Sequence, residues 1–358
     1  MKYIIAIFFL LFIFALTYYL SITINNILNN EKKQKHLLII ITILQIVFFS
    51  LYIIKSKITK IISSYYMGYI FYFFWISLII DIFLLITKKK INIKKNIKNN
   101  IKLIRILLPL LIVIIGHFNA LTIRTTKYEI TTTKNIEPTS IVLVSDIHLS
   151  YATKEKQIKN IVDKINNLNP DIVLITGDIF DGEYDLVDNL ETIESHFKNI
   201  ESRFGTYAIL GNHDLMLDKE NIEKFINNSN IILLEDTFIQ LENITIIGRK
   251  ETNDITRKDL SNLIQTIDKK NYTIVLDHEP DEIAKNIEEN IDLQLSGHTH
   301  HGQIFPINFA TNILFDVDYG HKNIKNKDVI VTSGVGYWGP PMRVGSISEI
   351  VNIKIQPE

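Results

Sequence analysis

Ser296-Gly297-His298-Thr299-His300-His301-Gly302-Gln303 sets three imidazoles between two glycines, directly after the short apolar run Leu293–Leu295. A polyhistidine tract needs neither a strand before it nor glycines around it, and a surface loop has no reason to concentrate three imidazoles. A buried strand that ends in polar side chains is how layered α/β structure delivers ligands to a cleft at the carboxyl edge of a sheet.

Outward from this stretch the same arrangement recurs. Ile141–Ser145 runs into Asp146-Ile147-His148, and Ile172–Thr176 into Gly177-Asp178-Ile179-Phe180-Asp181. Tyr207–Leu210 runs into Gly211-Asn212-His213-Asp214, and Thr273–Leu276 into Asp277-His278-Glu279-Pro280. Extended backbone puts residues i and i+2 on one face, so Asp146 and His148 can grip one cation together, although a turn carboxylate beside a surface histidine has the same spelling. Asp178 offers two oxygens able to bridge two metals, with Gly177 permitting close backbone approach. A helix N-cap accounts for Asn212 or Asp214 but leaves His213 without a purpose. Of ten histidines, His148, His213, His278, His298, His300 and His301 all fall in these motifs, which chance scattering does not produce. A metallo-β-lactamase would want His-x-His-x-Asp-His, and Gly297–Gln303 lacks the Asp-His tail.

Further apolar runs at Ile231–Leu234, Ile244–Ile247 and Val329–Thr332 complete the expected strands. Amphipathic stretches predict helices over Lys154–Leu168, Leu186–Glu201, Lys219–Asn228, Arg257–Asp268 and Glu282–Glu289. At 358 residues the chain is long enough for two units, and its composition divides accordingly. Residues 1–123 are expected as a transmembrane region, 124–139 as a linker and 140–358 as the soluble domain. The net charge of −1 argues against a nucleic-acid surface. With no cysteine, any transition-metal centre is built from His, Asp, Glu and Asn.

Four stretches approach the roughly 20 apolar residues that span hydrocarbon: Tyr3–Leu20, Leu37–Ile54, Tyr65–Ile86 and Leu103–Leu121. The first could be a signal peptide, but its run exceeds a usual h-region and no small-residue cleavage site follows. Pro109 interrupts the fourth, and Asp81 in the third is expected to be neutralised by Lys88–Lys90 near the helix end. The loops holding Lys32, Lys33 and Lys35 and holding Lys88–Lys90, Lys94, Lys95, Lys98 and Lys102 lie on one side, the cytoplasmic one by charge. Four spans therefore place the soluble domain outside the cytoplasm.

In order and wording, Asp146-x-His148, Gly177-Asp178-x-x-Asp181, Gly211-Asn212-His213-Asp214, His278 and Gly297-His298-x-His300 resemble the five motifs of the calcineurin-like metallophosphoesterase superfamily. The longer Gly297–Gln303 form and the apolar N-terminus are similar to its membrane-associated bacterial branch, with proteins of the YaeI and YkuE type. The resemblance implies a four-layer α/β/β/α sandwich, here behind four membrane helices. It implies that Asp146, His148, Asp178 and His300 hold one divalent metal, and Asp178, Asn212, His278 and His298 a second, with Mn, Fe, Zn and Co all suited to such ligands. Metal-activated hydroxide would then attack phosphorus in a phosphomonoester or phosphodiester, with lipid-linked or envelope esters as candidate substrates. His213, oriented by Asp214, is the candidate to stabilise phosphoryl charge or protonate the leaving oxygen. Asp181 is expected to support its loop, and His301 to lie behind the ligands or exposed. Arg343, in Ser333–Arg343, either reaches a substrate phosphate or sits on a Gly/Pro-rich surface turn, and its Pro-x-Arg setting matches the branch. The competing reading is a metal-dependent phosphate-binding or sensing module at the membrane without turnover.

Overall fold

The computed structural model describes residues 2–28, 34–54, 56–87, 95–182 and 184–358. It divides into two compact units, residues 1–115 and 116–358. The first is helical: α1 (Lys2–Leu28), α2 (Gln34–Ile53), α3 (Lys57–Thr87) and most of α4 (Lys95–Leu121). Among the described residues three helices are long and apolar enough to cross a membrane, over Lys35–Ile53, Lys57–Thr87 and Ile97–Leu121. This corrects the expected four. Tyr3–Leu20 does fall in α1, but the side chains of residues 1–14 lie outside the described residues, and the rest of α1 buries Thr17, Ser21, Thr23 and Asn25.

Asp81 is answered differently from expectation. Arg105 of α4 forks onto it, with Nη1 3.2 Å from Oδ2, and the Tyr19 hydroxyl donates to it at 2.6 Å. In a low-dielectric setting a carboxylate is tolerable when paired and hydrogen-bonded in this way. Lys88–Lys90, and the Lys32, Lys33 and Lys94 used for orientation, lie outside the described residues.

The second unit is built on two six-stranded mixed sheets. The first contains β1 (Ile123–Thr132), β2 (Thr139–Val144), β3 (Ile172–Thr176), β4 (Thr206–Ile209), β5 (Ile232–Leu233) and β12 (Ser348–Pro357), in the order β1-β12-β2-β3-β4-β5. The second contains β6 (Thr237–Leu241), β7 (Ile244–Gly248), β8 (Tyr272–Leu276), β9 (Leu293–Ser296), β10 (Gly320–Ile324) and β11 (Lys327–Val331), in the order β10-β11-β9-β8-β7-β6. Strands β2, β3 and β4 run parallel, as do β7, β8, β9 and β11, so each set opens its carboxyl ends on one edge. These central strands are apolar without alternation because both faces are buried, as in β3, Ile-Val-Leu-Ile-Thr.

Ile141, Leu143, Ile172 and Leu174 of the first sheet share one core with Ile246, Ile274, Leu276 and Leu295 of the second. The opposite side chains of the first sheet, Val142, Val144, Val173 and Ile175, pack on α5 (Glu155–Asn166), α6 (Leu190–Lys198) and α7 (Lys219–Asn228). Helix α5 shows why: Ile158, Ile161, Val162 and Ile165 make one helical stripe. Ile247 and Val275 of the second sheet meet α8 (Leu260–Ile264), and Val329 and Val331 meet Ile283 and Ile287 from and just after α9 (Ile283–Asn286). Both α8 and α9 are shorter than the expected Arg257–Asp268 and Glu282–Glu289.

Residues 124–139 are not a linker. Ten residues from Ile123 form β1, paired in parallel with β12 from Ile123↔Ser348 to Thr132↔Pro357. The last turn of α4 also belongs to this unit: Gly116 O accepts the Arg343 N–H at 2.9 Å, Asn119 Nδ2 donates to Arg343 O and Ser346 O at 3.0 and 2.9 Å, and Ala120 O accepts the Ser348 hydroxyl at 2.8 Å.

Candidate metal centre

The five motifs converge at the carboxyl ends of β2, β3, β4, β8 and β9. Asp146, His148, Asp178, His298 and His300 all take positive φ, between 50° and 68°, a conformation that costs a non-glycine residue roughly 1–3 kcal/mol and persists where its surroundings impose it. Glycines make room for the convergence. A Cβ on Gly297 would overlap Ser145 Oγ and Asp146 Oδ2, and one on Gly211 would overlap the Asp178 carboxylate.

Among the described residues three donor groups result, His148 with Asp181 and His213, and the two that hold expected ligands, Asp146 with His148 and His300, and Asp178 with His278 and His298. His148 Nε2 and His300 Nε2 face each other at 3.0 Å, with Asp146 Oδ1 3.4 Å from His300 Nε2. Asp178 Oδ2 lies 3.2 Å from His278 Nε2 and 3.6 Å from His148 Nε2, so it stands between the groups. Asn212 Oδ1 is 3.0 Å from His298 Nδ1. His278 Nδ1 contacts Thr176 O at 2.7 Å, whereas its buried Nε2 makes no hydrogen bond. Burial and the nearby His148 and Arg343 charges hold His300 well below the ordinary imidazole value. Burial disfavours a proton on His278, yet Asp178 and then Asp146 push its pKa up to about 10. For Asp178 burial acts upward, but His278, then His148 and His213, outweigh it and hold the carboxyl below the usual range. Facing lone pairs and buried carboxylates that draw in positive charge are the features of residues shaped for cations. The donor set fits divalent metals.

A family profile of calcineurin-like phosphoesterases matches residues 139–302, which contain all seven of these side chains. The match places residues 139–302 in the calcineurin-like metallophosphoesterase superfamily. It is 31% identical over 228 residues to a metallophosphoesterase of Helicobacter pylori, covering 61% of this chain and 60% of the relative. It is 29% identical over 251 residues to one of Aquifex aeolicus, covering 67% and 95%. A Bos taurus transmembrane protein with a metallophosphoesterase domain is 31% identical over 238 residues, covering 60% and 52%. The chain thus spans about 60% of the Helicobacter relative's length and about half of the bovine one's.

In this metallophosphoesterase-like domain the residues around the candidate ligands depart from expectation in two places. Asp214 does not orient His213. It is fully buried, and its oxygens accept the backbone N–H groups of Gly211, Ile179 and Phe180 at 2.9, 3.2 and 2.8 Å, tying the β4 loop to the β3 loop. Burial, then the Asp178 charge, pushes its pKa up to about 6. Asp181 takes that role instead, with Oδ1 3.0 Å from His213 Nδ1 and 3.4 Å from His148 Nδ1. Arg343 does not reach toward a substrate. It has no exposed surface; Nε and Nη2 donate to Gly336 O at 3.0 and 2.6 Å, and Nη2 also to Ser333 O at 2.7 Å. Nη2 sits 3.1 Å from His300 Nδ1, so the guanidinium packs behind a ligand.

His301 lies beside the metals' loop, with Nδ1 2.9 Å from Asp318 Oδ2, an oxygen that also accepts from Thr311 at 3.1 Å. Asp318 was not singled out in the sequence, where nothing but proximity in the fold connects it to the histidine cluster. Thr311 belongs to α10 (Ile307–Leu314), a helix that sequence periodicity also missed. A cavity of about 270 Å³ opens over Asp178, His213, His298 and His300, walled by Ile307 and Trp338 among others.

Proposed function

We propose that the chain is a dinuclear-metal phosphoesterase that cleaves phosphomonoester or phosphodiester bonds. The observation that carries this reading is Asp178, whose carboxylate stands between two donor groups beneath one open cavity. Asp146, His148, Asp178 and His300 would hold one ion and Asp178, Asn212, His278 and His298 the other. When bound, such a pair supplies Lewis acidity toward the phosphoryl group and lowers the pKa of an adjacent water.

The chain's own residues supply position and a proton. Asp181 engages His213 Nδ1, leaving Nε2 as the nitrogen free to act in the cavity. In the reaction a water oxygen forms the new P–O bond, the ester P–O bond breaks, and the leaving oxygen takes its proton from His213 Nε2. Asp214 contributes indirectly, by fixing the backbone on which Asp178 and His213 are carried. Arg343 holds His300 from behind.

Three finer readings accompany this one. The distribution of cores supports the four-layer α/β/β/α arrangement. The Gly297–Gln303 form and the apolar helices support the membrane-associated bacterial branch. An extracytoplasmic catalytic unit in a bacterial cell membrane follows from a cytoplasmic lysine-rich stretch before α4, since α4 then carries the unit to the opposite side.

The test is hydrolysis of bis-p-nitrophenyl phosphate and p-nitrophenyl phosphate by the full chain with Mn²⁺ or Zn²⁺, beside Asp178→Asn. Metal-dependent turnover that the variant loses is expected. A folded, metal-loaded protein without turnover on either ester would make it a binding module instead.

A further inference from the structure

Gly302–Phe315 contains no charged residue, and neither does Gly334–Met342; these two stretches flank the mouth of the cavity. Facing inward, Ile304, Ile307, Phe315, Trp338 and Pro340 line the cavity beside the metal-site residues. Facing outward, Phe305 and Trp338 are half exposed, while Phe309, Ile313 and Leu314 are 61%, 84% and 75% exposed. An uncharged rim of aromatic and aliphatic side chains around a polar site is a docking surface, since water leaves such a patch at a gain.

The occupant follows from what the rim is joined to. Phe305 N–H donates to Val344 O at 2.7 Å, and the neighbouring Arg343 N–H donates to Gly116 O at 2.9 Å. Gly116 to Leu121 is the end of a candidate membrane span, and exposed Phe118 lies within it. The rim is therefore two backbone hydrogen bonds from the last turn of a candidate membrane span. Trp and Phe on an uncharged surface suit the headgroup level of a bilayer.

We infer that the rim formed by Phe305, Phe309, Ile313, Leu314 and Trp338 sits in the bilayer interface, and that the site takes lipid phosphate esters with their apolar part along Ile304, Ile307 and Phe315. This rests on the phosphoesterase reading and names its substrate class. For a lipid phosphomonoester, water's oxygen joins phosphorus, the P–O bond to the lipid breaks, and inorganic phosphate and the lipid alcohol leave. The head group enters the cavity sideways from the membrane, so the chain does not leave the bilayer.

Two measurements on the full chain in phosphatidylcholine vesicles test this. The protein has two tryptophans, so Trp75→Phe leaves Trp338 as the only tryptophan, selected over the tyrosines by red-edge excitation. Brominated acyl chains should quench its emission; quenching by aqueous iodide alone overturns the seat and leaves the face to a protein partner. Second, turnover of vesicle-borne phosphatidic acid and phosphatidylglycerol is compared with that of p-nitrophenyl phosphate and its bis ester, in wild type and Ile313→Glu/Leu314→Glu. Seating two such side chains is worth roughly tenfold or more in partition, so the lipid-to-soluble turnover ratio should fall at least that far. A ratio unmoved by the substitutions, or soluble-ester turnover with no lipid turnover, overturns the inference while the phosphoesterase reading stands. Loss of turnover on every ester sinks that reading, and the quenching result then decides the seat alone.

Discussion

At Gly297 a single hydrogen atom in place of a side chain decides whether the centre can assemble. Gly297→Ala would push a methyl group against the Asp146 carboxylate and Ser145, so the variant should bind at least one metal fewer, as counted by elemental analysis of the purified protein. Unchanged stoichiometry would show that the loop can give way. Arg343→Lys makes a different test. The lysine cannot reproduce the guanidinium's bonds to Gly336 and Ser333, and each buried group left unsatisfied costs about 1–3 kcal/mol. Denaturant unfolding should show the loss while KM for a soluble ester stays put; a raised KM with intact stability would return Arg343 to the substrate. The seven proposed ligands could be picked out because their identity and order are local properties of strand ends. The partners of His213 and the direction of Arg343 were not, because Asp181 and Asp214 read alike until the backbone turns at Asp178 and Asp214 are known.

Among the elements, the last turn of α4 is the one whose purpose no hydropathy reading reveals. Asn119 reads as a polar residue that weakens a span, yet its amide holds the carbonyls of Arg343 and Ser346. Asn119→Ala should lower stability by about 1–3 kcal/mol and make the 338–346 loop the first site of limited proteolysis, with Asn119→Asp failing to restore it because a carboxylate cannot donate. Equal cleavage of variant and wild type would mean the turn carries no such load. Central strands such as β3 were legible from their unbroken apolar runs, whereas β1 was read as a linker. Only its Ile123 and Ile130 are buried, since an edge strand covered on one face carries polar residues such as Thr125 and Lys127 elsewhere. Helix α10 escaped because it is only eight residues long: Asn308, Thr311 and Asn312 share one face, but so short a run hardly displays its period.

For the whole molecule, metal and membrane each give a measurable state. Ligands that bind only the folded form stabilise it by mass action, about 2.7 kcal/mol at a concentration one hundred times Kd, so Mn²⁺ should raise the melting temperature and chelation should reverse it. Asp178→Asn should abolish most of that response; a full response in the variant would remove Asp178 from the centre. The absence of cysteine makes topology simple to measure. A single Glu220→Cys on the surface of α7 should react with an impermeant maleimide in intact spheroplasts, and labelling only after lysis would put the catalytic unit in the cytoplasm.

Strand order carries one more consequence, about time. The sheet runs β1-β12-β2, so the final strand of the chain lies between the first two of its domain. A ribosome that has reached residue 330 has already made all seven proposed ligands but neither Arg343 nor β12. Until residues 343–357 are made, β1 and β2 have no neighbour between them and His300 has nothing behind it. The candidate spans are thus made before the proposed centre can be completed, and a chain cut short before β12 keeps those spans but not the strand between β1 and β2.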